Sequence, residues 1–555
     1  MDGEANQIDE SLSGRASKEA RRQEDHQVTN ENLVPERATR REWIGLAVLT
    51  LAALVYAMDL TVLNLAIPRI SAELRPSSVQ LLWILDIYGF LVAGLLITMG
   101  TLGDRIGRRK LLLAGAGGFA LASVAAAFST TPEMLIASRA VMGVAGATIA
   151  PSTLSLIFTM FLDPKQRSTA IGFWIAAYSA GGAIGPVIGG ILLEFFWWGS
   201  VFLIGVPVMA LLLLIGPRAL PEYKDPNARP LDLPSAALSL LAILGVVYGL
   251  KEMAQDGVGP EPIAWIVGGV LLGIVFVRRQ LRLESPIIDV TLFRIRAFSA
   301  SLGAYFFGIF VVVGYFLLIG QYLQLVLGMT PLVAALWSLP SAIGFVVGSV
   351  AAPRFIHRFR PSVVMGAGLG IAAVGAVLLL GVSPSGGGSI YLIVGASLVM
   401  SLAFAPVITL ATELIVGSAP PEQAGAATGV SETSGELGGA LGIAILGSIA
   451  TAVYRSEVAA SLPSGIVGDV ADAALDTLGG AIAIAQTLPG EVGAALIALS
   501  QAAFVDAIHV VAVVSGIGAV ATAIAAAVAL RSVPARSEPE QGGDEATAKM
   551  AGATG

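Results

Sequence analysis

The sequence predicts an all-α integral membrane protein with fourteen membrane-spanning helices. Three observations support this fold class: the composition, the number of apolar runs, and the distribution of basic residues among the connections. Hydrophobic residues make up 55% of the 555 residues and charged residues only 13%, whereas a soluble domain carries about 25% charged residues. A chain this long and this apolar is typical of a protein embedded in a lipid bilayer.

The apolar runs follow one another along the chain with mostly short connections. A membrane-spanning helix needs about 20 mostly apolar residues, and fourteen runs meet this requirement. Numbered in chain order, the predicted helices lie near residues 43–67, 79–102, 111–129, 133–158, 168–191, 197–216, 233–252, 262–281, 298–320, 330–353, 362–382, 389–414, 424–453 and 504–530. The one long outer connection, 455–503, contains apolar stretches that are too short to span.

The basic residues test this count and predict the orientation. With the N-terminus inside, the cytoplasmic connections hold basic clusters at 105–110, 278–296 and 354–360. Cytoplasmic loops of membrane proteins carry an excess of Lys and Arg. One helix more or fewer in the middle would invert the later loops, so the pattern favours fourteen helices with both termini in the cytoplasm. The predicted outer side holds only Arg69, Arg75, Lys251 and Arg455.

The two ends of the chain and the absence of certain motifs exclude several classes of protein. Residues 1–40 and 531–555 are polar with mixed charge and predict disordered cytoplasmic tails, the first without the apolar core of a signal peptide. The chain has no cysteine, which excludes disulfides and thiol catalysis. It has no Walker A loop and no evident catalytic or metal-ligating cluster. We therefore expect no enzyme, no metal and no cofactor, with the proton gradient as the energy source.

Two connections indicate an internal repeat. After helix 2 the chain reads "GTLGDRIGRRKLL" (100–112), and after helix 10 it reads "GSVAAPRFIHRFRPSVV" (348–364). Each has a glycine at the helix end, a short bridge and a basic turn into the next helix. Equating them gives two six-helix halves, 41–217 and 298–530, with helices 7 and 8 inserted at 218–297. Many secondary transporters combine two such halves around a substrate site near the membrane midplane.

Five stretches carry a resemblance to a known family. They are "GTLGDRIGRRK" (100–110), "RAVMGVAG" (139–146), "GFWIAAYSAGGAIGPVIGG" (172–190), "MDLTVLNLAIP" (58–68) and "GVSETSGELGGALGIAILGS" (429–448). Together they resemble motifs of the major facilitator superfamily, and specifically of its fourteen-helix drug:proton antiporter family. The resemblance implies the major facilitator fold, with two six-helix halves plus two inserted central helices.

The resemblance also implies roles for two of the motifs. Between helices 2 and 3 it implies a gating motif of Gly100, Asp104, Arg105, Gly107, Arg108 and Arg109. In helix 5 it implies an antiporter motif of Gly172, Gly181, Gly185, Pro186, Gly189 and Gly190. Glycines four residues apart form a bare stripe that lets two membrane helices approach closely, and proline bends a helix. We expect this stripe to form a tight, bendable contact with a helix of the other half.

Ionisable side chains inside membrane helices are costly and mark candidate functional sites. At 1.5 Å per residue, Asp59 lies about 24 Å from the inner end of helix 1, whereas Asp86 and Arg139 lie about 10 Å and about 9 Å from the outer ends of helices 2 and 4. All three fall in one layer, where Arg139 can bias the ionisation of either carboxyl. Such a carboxyl can exchange a proton for a cationic substrate. The structural alternative is that Asp59 caps a kinked helix through Thr61 and Asn64, and that Arg139 is a hydrogen-bond hub.

Two glutamates and several aromatic residues complete the candidate site. Glu432 and Glu436 are four residues apart on helix 13 and share one face, so they are further candidates for proton or cation coupling. Aromatic rings can bind cations through their faces, although packing and interfacial anchoring are the usual roles of such residues. The candidate cavity aromatics are Tyr56, Trp83, Tyr88, Trp174 and Tyr178.

The resemblance implies a proton-driven multidrug efflux antiporter of a bacterial inner membrane. We expect it to export lipophilic cations, such as quaternary ammonium compounds and dyes, by alternating access. We also expect a monomer in contact with the bilayer, its substrates and protons, and no nucleic acid partner. Two alternatives remain open: an exporter of an endogenous metabolite, lipid or self-made antibiotic, and a membrane receptor or scaffold that does not transport.

Overall fold

The computed structural model describes residues 37–224, 231–283, 286–384, 388–418, 424–462 and 466–533. Within these ranges thirteen helices are long and apolar enough to cross a membrane, and a fourteenth qualifies as a bent span. This confirms the predicted all-α membrane fold. The predicted disordered tails lie almost entirely outside the described residues. In chain order the helices are α1 Arg40–Leu65, α2 Ser78–Ile106, α3 Arg108–Ala127, α4 Pro132–Met160, α5 Pro164–Phe195, α6 Ser200–Ala219, α7 Leu233–Asp256, α8 Pro260–Gln280, α9 Arg296–Val326, α10 Pro331–Arg358, α11 Pro361–Gly381, α12 Ser389–Ser418, α13 Ala424–Ser461 and α14 Gly490–Ala529.

The bent span is α5, in which a continuous α-helix changes direction by 43° between its segments Lys165–Gly182 and Ile184–Phe195. Pro186 explains the position of the bend. A proline has no N–H to donate to the carbonyl four residues earlier, and its ring crowds that carbonyl, which here belongs to Gly182. The helix therefore bends about one turn before the proline, and α5 crosses the membrane as one bent helix.

Polar caps define where several of the helices begin. Thr39 and Glu42 form a capping box at the start of α1, and Ser77 and Gln80 form another at the start of α2. Each box satisfies backbone N–H groups that the first helical turn leaves without partners. In the sequence these polar residues flank the apolar runs, so they fix the helix ends where the chain leaves the membrane.

The connection between α13 and α14 is more ordered than the sequence indicates. It contains the short helices Asp469–Asp476 and Leu478–Ala485, and α14 begins at Gly490 rather than near residue 504. At 40 residues, α14 is about 60 Å long and extends well beyond the bilayer. Asp476 joins this connection to the rest of the molecule, because it pairs with Arg455 at 3.0 Å and its carbonyl accepts from Ser78 at 2.6 Å. Burial raises the pKa of Asp476 even though Arg455 opposes the shift.

The halves meet along a seam between α2 and α13. We call the side that bears the α2–α3 connection the inner side, following the predicted orientation. A Cβ built on Gly89 would lie 3.3 Å from Ala440, and one built on Gly447 would lie 2.6 Å from Leu82. Paired positions run in opposite directions along the two helices, so α2 and α13 are antiparallel neighbours.

The inserted helices α7 and α8 form a hairpin beside this seam. The two helices approach closely where Gly245 faces Gly269, since a Cβ at 245 would lie 3.3 Å from the Cα of Gly269. Val247 of α7 packs with Phe90 of α2 and Ala440 of α13 in one apolar cluster. The insertion therefore touches both halves of the molecule at once.

Candidate functional site

Asp59 and Arg139 form an ion pair inside the first half. Arg139 Nη1 lies 2.5 Å from Asp59 Oδ2, and the two side chains are only 2% and 8% exposed. Arg139 Nε also donates to the carbonyl of Ile84 on α2 at 3.3 Å. The predicted layer of charges thus pairs Arg139 with Asp59 and not with Asp86. Thr61 donates to the carbonyl of Met58, and the described partner of Asp59 is Arg139.

Tyr88 packs against this ion pair because α4 presents glycines to α2. The guanidinium of Arg139 lies 4.6 Å from the centre of the Tyr88 ring, within the range of a cation–π interaction. A Cβ at Gly143 would lie 2.8 Å from the Tyr88 carbonyl oxygen, and one at Gly146 would lie 2.9 Å from the Tyr88 hydroxyl. Any larger residue at either position would force α2 away, so the two glycines set the distance between Tyr88 and Arg139.

Asp86 has a different partner, which the sequence did not identify. Lys251 Nζ of α7 lies 2.8 Å from Asp86 Oδ2, and both side chains are 0% exposed. The same nitrogen lies 3.7 Å from the centre of the Trp83 ring. The sequence predicts Lys251 on the outer side, in the last turn of a helix 7 that ends near residue 252. The described helix continues to Asp256, which puts Lys251 inside the molecule.

Glu436 links α13 of the second half to the first half. Tyr56 of α1 donates a hydrogen bond from its hydroxyl to Glu436 Oε1 at 2.7 Å, and Tyr178 of α5 interacts with the same carboxyl. Glu432, one turn nearer the inner side, is half-buried, as is Glu436. These two carboxyls are thus less enclosed than Asp59 and Asp86, which are buried.

An aromatic series connects the two carboxyl sites. The Tyr56 and Tyr88 ring centres are 6.3 Å apart, and those of Tyr56 and Tyr178 are 6.0 Å apart. The series therefore runs from Arg139 through Tyr88 and Tyr56 to Glu436. Trp174 stacks on Tyr178 at 5.8 Å and donates from its indole to Thr153 at 3.1 Å. Four of the five candidate aromatics belong to this series, whereas Trp83 covers Lys251.

The motif between α2 and α3 makes its described contacts within the first half. Arg108 Nη2 lies 2.6 Å from Asp104 Oδ1, so the partner of Asp104 is Arg108 and the side chain of Arg105 is exposed. Arg109 donates to the carbonyl of Leu220 at the end of α6 at 2.9 Å. Gly107 has a φ of 115°, a conformation that favours glycine, and a Cβ there would overlap the carboxylate of Glu222. A Cβ built on Gly100 would lie 3.7 Å from Cβ of Pro151 on α4.

The glycine stripe of α5 packs mainly on α1 of its own half, which corrects the expected contact with the other half. A Cβ at Gly181 would overlap the Leu54 carbonyl, one at Gly185 the Thr61 hydroxyl, and one at Gly189 the Val62 side chain. The paired positions rise together along the two helices, so the stripe lies against α1 as a parallel neighbour, and its spacing of four residues keeps the two helices close along this length. Only the last glycine of the motif crosses to the other half: a Cβ at Gly190 would lie 3.0 Å from Ala335 of α10.

These features agree with a match to a known family. Residues 49–443, more than half of the chain, match the family model of the Major Facilitator Superfamily. The chain belongs to this superfamily. It is therefore a multi-pass membrane transporter for small molecules and not an enzyme.

Relatives of this major facilitator protein confirm the predicted drug-exporter type of family. The multidrug efflux pump LfrA of Mycolicibacterium smegmatis is 41% identical over 89% of this chain and 97% of its own length. The methyl viologen resistance protein SmvA of Salmonella typhimurium is 35% identical over 84% of this chain and 93% of its own length. The puromycin resistance protein pur8 of Streptomyces alboniger is 33% identical over 78% of this chain and 86% of its own length.

Two solved structures of transporters share the fold. A bacterial homologue of the human lysosomal transporter Spinster, in an inward-facing and unoccupied conformation, has a TM-score of 0.63 and 18% identity, covering 90% of this chain and 100% of its own. The peptide transporter POT in complex with sulfate has a TM-score of 0.56 and 16% identity, covering 88% of this chain and 95% of its own. At these identities the likeness concerns the fold alone.

Proposed function

We propose that this protein is a multidrug efflux antiporter that exports lipophilic cations in exchange for protons. The observation that carries the proposal is the arrangement of membrane-embedded acids. Asp59 is buried against Arg139, and the half-buried carboxyl of Glu436 is joined to this pair by the aromatic series. Acidic side chains are costly to bury inside a membrane, and those that occur there are typical of proton and cation pathways.

The relatives support the substrate class. LfrA is named as a multidrug efflux pump and SmvA for resistance to methyl viologen, and methyl viologen is an aromatic dication. Rings such as Tyr56 and Tyr178 beside Glu436 offer a carboxylate and aromatic faces together, which is the environment that an aromatic cation binds best. Quaternary ammonium compounds and cationic dyes have the same chemistry.

The proposed cycle exchanges an organic cation from inside for a proton from outside. With the inner side open, an organic cation enters from the cytoplasm or the inner leaflet and binds at Glu432 and Glu436. The halves then rock so that the outer side opens. A proton from outside binds the carboxylate of Asp59, which frees Arg139 from its partner. This change passes through Tyr88 and Tyr56 and lowers the affinity for the cation at Glu436, and the cation leaves to the outside. Return to the inward state releases the proton into the cytoplasm.

The proposal includes the location of the protein. We place it in the cytoplasmic membrane of a bacterium as a monomer, with both termini in the cytoplasm. The basic clusters of the predicted inner connections support this orientation. The proton-motive force across that membrane then drives uptake of protons in the direction that the cycle requires.

Dye efflux tests the proposal. Cells that produce the protein and are loaded with a monovalent or a divalent cationic dye should extrude the dye, and a protonophore should stop the extrusion. The Asp59→Asn variant should extrude no faster than cells without the protein, because an amide can neither bind the proton nor compensate Arg139. Asp163→Asn is a matched control: Asp163 caps α5, and asparagine caps helices as well as aspartate does, so efflux should persist.

Two results would contradict the proposal. Protonophore-resistant efflux in cells that still hold ATP would exclude proton coupling. Normal, proton-coupled efflux by the Asp59→Asn variant would remove Asp59 from the mechanism.

A second candidate is an exporter of a self-made antibiotic. The tetracenomycin C resistance and export protein of Streptomyces glaucescens is 30% identical over 90% of this chain, which favours this alternative over other endogenous substrates. The two functions differ in breadth. A panel of unrelated dyes and antibiotics would distinguish them, since a dedicated exporter would raise resistance to one compound class alone.

A further inference from the structure

Lys251 is a fully buried cation on the inserted hairpin. Its ammonium lies 2.9 Å from Asp86 Oδ1 and 2.8 Å from Asp86 Oδ2, and 3.7 Å from the centre of the Trp83 ring. A carboxylate and an indole face around one ammonium are the elements of a site for an organic cation. Here the cation is tethered to α7, which belongs to neither six-helix half.

The site lies on the seam between the halves, outward of Glu436. The seam pairs Gly89 with Ala440 and Leu82 with Gly447, so Asp86 is level with the turn of α13 just beyond Ala440. Glu436 is about seven residues nearer the inner side, which is about 10 Å along the helix. A cation that left Glu436 towards the outside would therefore pass the level of Asp86 and Trp83 on α2.

We propose that Asp86 and Trp83 form a second cation site, outward of Glu436, and that the tethered ammonium of Lys251 occupies it so that exported cations do not bind there. Without Lys251, the buried carboxylate of Asp86 would lack a counter-ion, and a departing organic cation would supply one. Lys251 thus prevents a departing organic cation from binding at Asp86 on its way out. This inference rests on the proposed function for its view of substrate movement, but the site itself is tested by binding alone.

Replacing Lys251 with alanine empties the site, and a small ammonium compound that matches the deleted part of the side chain then tests whether the site binds cations. Alanine keeps Cβ and removes the rest of the side chain, which corresponds to n-propylammonium. Full-length protein in lipid nanodiscs, with no proton gradient, should bind one more n-propylammonium per chain in the Lys251→Ala variant than in the wild type. The Lys251→Ala/Asp86→Asn double variant should lose this additional site, because no carboxylate remains to bind the ammonium.

Stability measurements keep the test informative if the single variant is poorly folded. The melting temperature of Lys251→Ala should rise with n-propylammonium and not with n-propanol, which has the same shape without the charge. Equal rises with both compounds would show that Lys251 only fills space, and would overturn the proposal. Equal n-propylammonium binding by the wild type, the single variant and the double variant would overturn it as well.

The outcome is separable from that of the proposed function. Failure of the wild type to extrude any cationic dye would remove the antiporter proposal and leave the binding result intact. If binding behaves as expected, dye efflux by Lys251→Ala should also fall below that of the wild type and recover when n-propylammonium is added. Efflux that is unchanged by the loss of Lys251 would show that the site does not lie on the exit path, and would overturn the role assigned to Lys251.

Discussion

Arg139 is held by groups from three other helices of the first half. Asp59 of α1 binds its Nη1, the Ile84 carbonyl of α2 accepts from its Nε, and the Phe202 ring of α6 lies 5.9 Å away. Removing one partner of a buried ion pair leaves an uncompensated charge, which costs about 3–5 kcal/mol. Protonation of Asp59 has the same electrostatic effect, so a single proton can disturb contacts among several helices at once.

Tyr56 offers a test of the connection between the carboxyl sites. In the Tyr56→Phe variant, Glu436 loses the 2.7 Å hydrogen bond from the phenol. A hydrogen bond to a charged group contributes about 1.5–3 kcal/mol, and 1.4 kcal/mol corresponds to about tenfold in affinity. We therefore expect the apparent affinity for a cationic dye to weaken by roughly tenfold, as measured by the concentration dependence of efflux from loaded vesicles.

Tyr315→Phe is the matched control for this prediction. The Tyr315 hydroxyl is buried in the second half and pairs with Ser397 at 2.6 Å, so its loss removes a hydrogen bond away from the acids. Its dye affinity should stay close to that of the wild type. Equal weakening in both variants would mean that the effect arises from general destabilisation.

Single residues were predictable where the chemistry is visible in one segment. Asp59, Asp86 and Arg139 stand out as charges within apolar runs, and their depths place them in one layer. Which acid contacts Arg139 depends on how α1, α2 and α4 rotate about their axes, and the sequence does not give that rotation. The sequence predicts Lys251 on the outer side and not as a site residue, because a lysine near a helix end usually extends to the membrane surface. The signal that could have identified it is an acid and an indole three residues apart on α2.

At the scale of helices, the close contact of α5 with α1 depends on missing side chains. Gly181, Gly185 and Gly189 face α1, whereas Gly172 and Gly182 have nothing within 4 Å of their Cβ positions among the described residues. The stripe is therefore one-sided. Pro186 bends the same helix, so α5 combines a close contact with α1 and a bend.

Adjacent glycines provide a test at this scale. A Cβ at Gly181 meets the backbone carbonyl of Leu54, whereas one at Gly182 meets nothing. Gly181→Ala should lower stability by about 1–3 kcal/mol through overpacking and reduce dye efflux. Gly182→Ala gains the same helix propensity of about 1 kcal/mol and should not be destabilised. Thermal unfolding of the purified variants measures the difference, and equal behaviour of the two would contradict the described packing.

Helix positions were predictable to within a few residues, because apolar runs and polar caps coincide. Which helices pack against each other was less predictable from the sequence. The glycine spacing of α5 predicts close packing but not the partner, and the partner proved to be α1. The predicted start of α14 is fourteen residues too late, because the Ala-rich stretch that follows Glu491 is too short to span a membrane by itself although it forms a helix well.

On the scale of the whole molecule, the halves contact each other at the outer ends of their helices. Gly190 of α5 approaches Ala335 of α10, and Gln324 of α9 donates to the Leu65 carbonyl of α1 at 3.2 Å. A Cβ built on Gly172, in the inner part of α5, would have no atom of the described residues within 4 Å. The described conformation is thus closed on the outer side at α5.

A disulfide across this contact tests alternating access. The chain has no cysteine of its own, and the Cβ positions of 190 and 335 are 3.0 Å apart, close to the roughly 3.8 Å of a disulfide. Oxidation of the Gly190→Cys/Ala335→Cys variant should join the halves and stop dye efflux, and a reductant should restore it. Each single-cysteine variant should be insensitive to the oxidant. Efflux by the fully cross-linked protein would show that the outer ends need not separate.

The fold as a whole was predictable because the bilayer imposes strict rules. Spanning segments must be helical and must alternate in direction, so length, hydropathy and basic residues leave few arrangements. The repeat and the motifs then select among these. The position of α7 beside the α2–α13 seam was not predictable, since an inserted hairpin has no counterpart in the other half to indicate where it packs.

The buried pair of Asp86 and Lys251 also bears on how such a chain can change in evolution. The two residues are 165 positions apart and belong to different parts of the chain, one to the repeated half and one to the insertion. A descendant that lost the hairpin would retain an unpaired acid in its membrane core, and an ancestor that gained the hairpin first would have carried an unpaired lysine. We therefore expect a neutral residue at position 86 in a relative that has twelve helices and lacks the hairpin, because a buried acid without a counter-ion is costly.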